Sequence, residues 1–182
     1  MVELQVEVKF FYRSYVDQVM CDLAASLNPA SRGRGGWQCS SSTPSTQICS
    51  GSISSWGGIA CNNGNVVSIL LSGLKLSGTI PTSIGLLSSL TTLLISRNSI
   101  TNSIPSELGQ LRFLVSLDLS ANLITGSVPR ALCLDSALTA LSFGSNSLVC
   151  YFNCLSSVPS LSAGAINPIC TEGKIKFYVF II

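Results

Sequence analysis

The chain has 182 residues, a formal net charge of +2 and charged side chains at only 10 % of positions, against about 25 % in an average globular protein. That length suffices for one domain with a core of its own. The few Lys and Arg are scattered, which argues against nucleic acid as a partner, and hydrophobic residues at 47 % argue against disorder in the middle of the chain.

The opening segment MVELQVEVKFFYRSYVDQVM is broken by Glu3, Glu7, Lys9, Arg13 and Asp17. It therefore holds no apolar run of about 7–15 residues to serve as a signal peptide, and residues 1–20 are read as an extension to which no fold is assigned. Eight cysteines follow. Cys39, Cys49 and Cys61 gather before residue 66, and Cys150, Cys154 and Cys170 after residue 149, while Cys21 and Cys133 stand apart. A stack of repeats leaves a raw apolar face at each end, and disulfide-braced caps cover such faces in an oxidising compartment. The two clusters are expected to pair within themselves, as an N-terminal cap over residues 21–65 and a C-terminal cap over 154–173. Zinc is not expected, since there is no His and no CxxC pair, only the CxxxC of Cys150 and Cys154.

Between the caps the chain repeats itself. SGTIPTSIGLLSSL, TNSIPSELGQLRFL and TGSVPRALCLDSAL place Pro81, Pro105 and Pro129 24 residues apart, a period that points to a solenoid of short stacked coils. Residues 66–153 are read as three full coils and a partial fourth. Each opens on a short strand, VVSILLS, LTTLLIS, LVSLDLS or LTALSFG. Its inward members are Ile69 and Leu71, Leu93 and Ile95, Leu117 and Leu119, and Leu141 and Phe143. Asn98, Asn122 and Asn146 recur at the same period. An inward Asn is costly unless its amide is partnered, so these three are expected to form a ladder that bonds the backbone where the chain leaves each strand. Leu74 takes this place in the first coil, in keeping with an atypical terminal repeat. Gly78, Asn102 and Gly126 mark a turn that tolerates positive φ. Ile80, Ile104 and Val128 then point back inward, and the proline that follows keeps the chain extended before Ile84, Leu108 and Leu132 anchor the return. At Asn153 the proline is missing, so the array is expected to end there.

The outward residues of the strands line one concave face. They are Ser68, Leu70 and Ser72; Thr92, Leu94, Ser96 and Arg97; Ser116, Asp118 and Ser120; and Ala140, Ser142 and Ser145. The face is rich in hydroxyls and nearly uncharged. Leu70 and Leu94 make an apolar spot without a folding purpose, which marks the face as a partner-binding candidate. A standard interface needs roughly 20–30 residues per side, so binding is expected to draw on the flanks or on a second protein.

The pattern LxxLxLSxNxLTGxIPxxLGxL, with CDLAASLNP and WGGIAC before it, resembles the plant-type leucine-rich repeat over roughly Cys21 to Cys154. Leu74, Asn102 and Asp135 depart from it. The resemblance implies an α/β solenoid: a curved array with a parallel concave sheet, an irregular or 3-10 convex side and cysteine-containing caps. It further implies a non-catalytic module of a receptor-like or co-receptor-like protein that binds a protein, a peptide or another such receptor, in signalling or defence at the cell surface. Two alternatives stay open, a secreted inhibitor of cell-wall-degrading hydrolases (of the polygalacturonase-inhibitor kind) and a cytosolic scaffold.

Catalysis finds no support. Without His there is no Ser-His-Asp or Cys-His arrangement and no His-based metal site. Asp17, Asp22, Glu107, Asp118, Asp135 and Glu172 fall in no pairing that the repeat brings together, and GRGGW lacks the rest of a phosphate loop. No cofactor is expected. The tail over 174–182, with KIKFYVFII, is shorter than the ~20 residues of a membrane span. Given the cysteines, the two ends are read as not being the natural ends of a secreted or membrane protein, although no Asn lies in a glycosylation sequon.

Overall fold

The computed structural model describes residues 16–27, 48–50, 53–54, 56–133, 137–152, 160–162, 169–171 and 174–176. A helix over residues 16–26 comes first. Val16, Val19, Met20, Leu23, Ala24 and Leu27 recur at helical spacing and are all buried. The helix crosses the boundary expected between residues 20 and 21, because this one apolar stripe lies on both sides of it and packs on one core.

Strands are numbered in chain order. β1 (Cys49–Ser50) and β2 (Ile53–Ser54) pair antiparallel, as do β3 (Ile59–Asn62) and β4 (Asn65–Leu70). Asn63 and Gly64 join the latter pair with φ of 48° and 77°, the left-handed geometry that two-residue hairpin turns demand. A disulfide between Cys49 and Cys61, with Cα atoms 5.6 Å apart, ties β1 to β3. Cys21, expected to stand apart, is disulfide-bonded as well; the helix carries it into the cap. Cys39 and Cys154 lie outside the described residues, while Cys150 and Cys170 fall on strands of the C-terminal part.

The coils follow. After β4, the strands β6 (Thr92–Leu94), β8 (Ser116–Asp118), β10 (Ala140–Ser142) and β12 (Ser160–Ser162) stack in parallel, and β3 closes the edge beside β4. All eight residues expected to point inward from the first four parallel strands are buried, Phe143 completely. β12 lies within the span assigned to the C-terminal cap. It follows β10 after 20 residues rather than 24.

A second, narrower set of ladders runs behind the first. β5 (Ser77–Gly78) pairs with β7 (Ser99–Ile100), and β9 (Thr125–Ser127) with β11 (Ser147–Phe152). β13 (Ile169–Thr171) and β14 (Lys174–Lys176) extend the second of these. The turn expected at Gly78, Asn102 and Gly126 sits in or beside these short strands, and all three residues have positive φ. Gly78 also lies directly under the N-terminal helix, where a Cβ would run into the Ser26 carbonyl. That carbonyl and the one of Leu27 accept the N–H groups of Thr79 (3.0 Å) and Ser77 (3.2 Å), so the helix end covers the edge of β5.

The convex side consists of 3-10 turns at Thr82–Leu86, Ser106–Gln110 and Arg130–Cys133. Pro81 and Pro105 precede the first two with φ of −74° and −67°; at that position proline sacrifices no helical hydrogen bond. A Cβ on Gly85 would strike Glu107, and one on Gly109 would strike Ala131, so glycine lets successive turns stack closely.

The in-and-out alternation predicts unequal costs along β8 and just beyond it. Leu117→Ala or Leu119→Ala leaves a cavity and should cost about 2–5 kcal/mol, whereas Ser116→Ala should stay within about 0.5 kcal/mol of the native chain. Urea unfolding of the three variants checks this, and equal losses would contradict the assignment.

Candidate ligand-binding face

Parallel pairing in one register sorts the outward side chains into rows across the coils. Ser68, Thr92, Ser116 and Ala140 form one row, and Leu70, Leu94, Asp118 and Ser142 the next. The ladder continues beyond the strand ends through Gly73 N–H to Ser96 O, Arg97 N–H to Ser120 O and Ala121 N–H to Gly144 O. Ser72, Ser96 and Ser120 thereby become a third row. Leu70 is 48 % exposed, since its neighbour toward the cap is Gly58, whose carbonyl accepts the Leu70 N–H and which has no side chain to cover it. Leu94, with Leu70 on one side and Asp118 on the other, is half-buried.

Asp118 is the one carboxylate in these rows. Its Oδ1 accepts the Ser120 N–H at 3.0 Å and the Ser120 hydroxyl at 2.6 Å. The hydroxyls of Ser96 and Ser142, one coil to either side, stand near enough to favour its charged form. Ser96 Oγ is also 3.0 Å from Ser72 Oγ. Burial alone pushes the carboxyl up; the bonds from Ser120 and the nearby hydroxyls of Ser96 and Ser142 outweigh it, and the pKa settles below the ordinary value of 3.8.

Two residues differ from expectation. Ser96 is buried rather than presented on the face, because its hydroxyl is enclosed between Ser72 and Asp118. Arg97 is exposed but lies beyond the strand, at φ 55°, in the same left-handed turn as Gly73, Ala121 and Ser145. Ser68, Thr92, Ser116, Ser120 and Ser142 are half-buried on the face, and Ser72 is exposed.

The three asparagines lie beneath the rows. Asn122 Oδ1 accepts the Ile100 N–H, and its Nδ2 donates to the carbonyls of Ile95, Leu119 and Ser120 at 3.0–3.3 Å. Asn98 does the same for the N–H groups of Leu74 and Leu76 and the carbonyls of Leu71, Ile95 and Ser96. Asn146 serves Ile124, Leu119, Phe143 and Gly144.

The candidate residues drawn from the sequence omitted the flank beside the strand starts. Phe113 is 64 % exposed and Val115 39 %, on either side of buried Leu114. The repeat carries the signal: Ser89 and Ala137 stand where Phe113 does, and Thr91 and Thr139 where Val115 does. Among the described residues no three His, Cys, Asp or Glu side chains gather as a metal site, and no helix is long and apolar enough to cross a membrane.

The Leucine Rich Repeat family model matches residues 89–111 and 113–134. The chain carries leucine-rich repeats over those residues, and its fold is that of a leucine-rich repeat solenoid. No curated protein matches it by sequence. Solved structures do. A chain in the crystal structure of PEPR1–AtPEP1 is similar at 27 % identity and a TM-score of 0.69, over 85 % of this solenoid and 21 % of that chain. The crystal structure of the Arabidopsis receptor kinase HAESA in complex with the peptide hormone IDA and the co-receptor SERK1 holds another, at 28 % identity and a TM-score of 0.58, over 73 % of this solenoid and 22 % of that chain. The BIR3–SERK2 complex from Arabidopsis thaliana supplies a third at 27 % identity and a TM-score of 0.56, over 85 % of this solenoid and 95 % of that chain. The solenoid thus spans about a fifth of the first two chains and nearly all of the third.

The Asp118 network has a pH signature. A carboxyl whose folded pKa lies below its unfolded value stabilises the fold above the unfolded pKa and loses that contribution as pH falls through the folded one. The stability advantage of the native chain over Asp118→Asn should therefore be full above the ordinary value of 3.8 and shrink below it. Thermal melts of both proteins in parallel at stepped pH check this; a gap that widens in acid would contradict it.

Proposed function

We propose that this solenoid is a non-catalytic recognition module of a receptor-like or co-receptor-like protein, binding a protein or peptide through the concave rows and their flank. The observation that carries the reading is the row Leu70, Leu94, Asp118: an exposed leucine, a second apolar side chain and a carboxylate at the centre of a sheet that hydroxyls otherwise cover. The core behind them is lined by their buried neighbours Ile69, Leu93 and Leu117. Phe113 and Val115 add apolar surface on the flank, which the rows alone lack for a standard interface.

The likeness to a chain in the complex of HAESA with a peptide hormone and a co-receptor, and to chains in the PEPR1–AtPEP1 and BIR3–SERK2 structures, supports the same reading. The disulfides at Cys49–Cys61 and at Cys21 support a place outside the cell and weigh against a cytosolic scaffold, where thiols are kept reduced. For the alternative of a secreted hydrolase inhibitor, direct assay of a polygalacturonase separates it from a receptor module.

The test is a binding screen of the immobilised chain against secreted peptides and receptor ectodomains, repeated with Leu70→Glu and Leu94→Glu. The expected result is a ligand whose affinity falls at least tenfold, about 1.4 kcal/mol, in both variants while their melting temperatures hold. Ligands that bind both variants as they bind the native chain would move the site elsewhere.

A further inference from the structure

Two charged residues lie in the outward rows and the turns that end them, Arg97 and Asp118. Arg97 is displaced into a turn at the margin, which leaves Asp118 as the sole charge on the sheet itself. The fold does not require a carboxylate there. In the same register the other coils carry Leu70, Leu94 and Ser142, so the position tolerates apolar and neutral polar side chains alike.

The surroundings of Asp118 keep its charge available. Every group that favours the charged carboxyl is a neutral donor, namely the Ser120 N–H and the hydroxyls of Ser120, Ser96 and Ser142. They fix its orientation without neutralising it. Ser96 also bonds the Ser72 hydroxyl in the coil beyond. The rotatable hydroxyls of Ser96 and Ser142 can also swing aside when a stronger donor arrives.

The next two residues of the row are apolar. Parallel strands lie ~4.8 Å apart, so Leu94 is one strand step from Asp118 and Leu70 two. Lys and Arg carry a charged head on an aliphatic stem that prefers apolar surface, and a stem crossing Leu94 toward Asp118 matches that order of chemistry. A cationic side chain gains an ion pair as well as hydrogen bonds from the carboxylate, a neutral donor gains a hydrogen bond alone, and an acidic side chain is repelled.

We propose that Leu94 and Asp118 form a subsite for one basic side chain, Lys or Arg, of a peptide ligand lying across the concave rows, with Leu70 receiving an apolar neighbour. The subsite rests on the recognition reading above and adds the chemistry of the ligand to it.

The experiment is selection of a displayed random twelve-residue peptide library on the full chain, followed by synthesis of the enriched peptides. The expected outcome is a shared Lys or Arg. Replacing that residue by norleucine, which keeps the stem and removes the charge, should weaken binding to the native chain at least tenfold. The same replacement should change binding to Asp118→Asn by less than twofold. Binding of the parent peptide to the native chain should also weaken as salt rises, a readout that needs no variant to fold. Enriched peptides without a basic residue, or a norleucine penalty equal in native and Asp118→Asn, would overturn the subsite while leaving peptide recognition standing. Failure to enrich any peptide would remove peptide recognition and the subsite together.

Discussion

A chain that turns out of a strand every 24 residues leaves peptide groups inside the molecule with no strand to pair with. Buried amides without partners cost on the order of 1–3 kcal/mol each, and the defect recurs in every coil. The inward asparagines resolve it. Asn122 alone accepts from Ile100 and donates to the carbonyls of Ile95, Leu119 and Ser120, and so bonds its own coil to the preceding one. Leu or Ser in its place could not do this, since the position needs an acceptor and two donor protons on one short, planar side chain. With the backbone satisfied there, Leu117, Leu119 and their equivalents can pack against one another without interruption.

The face follows from the same constraint. Once every coil leaves its strand at the same point, the strands align in register and the outward residues fall into rows. A substitution on the face then acts on neighbours one coil away, as Asp118 does on Ser96 and Ser142. Leu70, Leu94 and Asp118 are departures from the serine and threonine that cover most of this face. Phe113 and Val115 are departures on the flank, large or branched apolar side chains where neighbouring coils carry Ser, Ala or Thr.

Much of this was legible in the residues. Period and alternation located the inward pairs from Ile69 to Phe143, the left-handed positions at Gly78, Asn102 and Gly126, and the prolines ahead of the 3-10 turns. What escaped did so for identifiable reasons. Ser77–Gly78 and Ser99–Ile100 are too short to show a strand's alternation, so the second ladder has no signature in the sequence. β12 breaks the 24-residue period and cannot be found by it. The N-terminal helix does have a pattern, Val16, Val19, Met20, Leu23, Ala24, Leu27, which a boundary at Cys21 cuts in half. Ser96 alternates outward as expected but is enclosed by Ser72 and Asp118, contacts between coils that a one-coil pattern does not contain.

The role of the asparagine ladder is open to direct measurement by amide hydrogen exchange in the native chain and in Asn122→Ala. The Ile100 N–H, bonded to Asn122 Oδ1, and the Ile124 N–H, bonded to Asn146 Oδ1, serve as matched reporters. Both should be protected in the native chain to the level of the strand amides, such as Leu93. In Asn122→Ala the Ile100 amide should lose that protection while Ile124 keeps more of it. Unchanged protection at Ile100 would show that the coils are held without the side-chain amide, and would contradict the account.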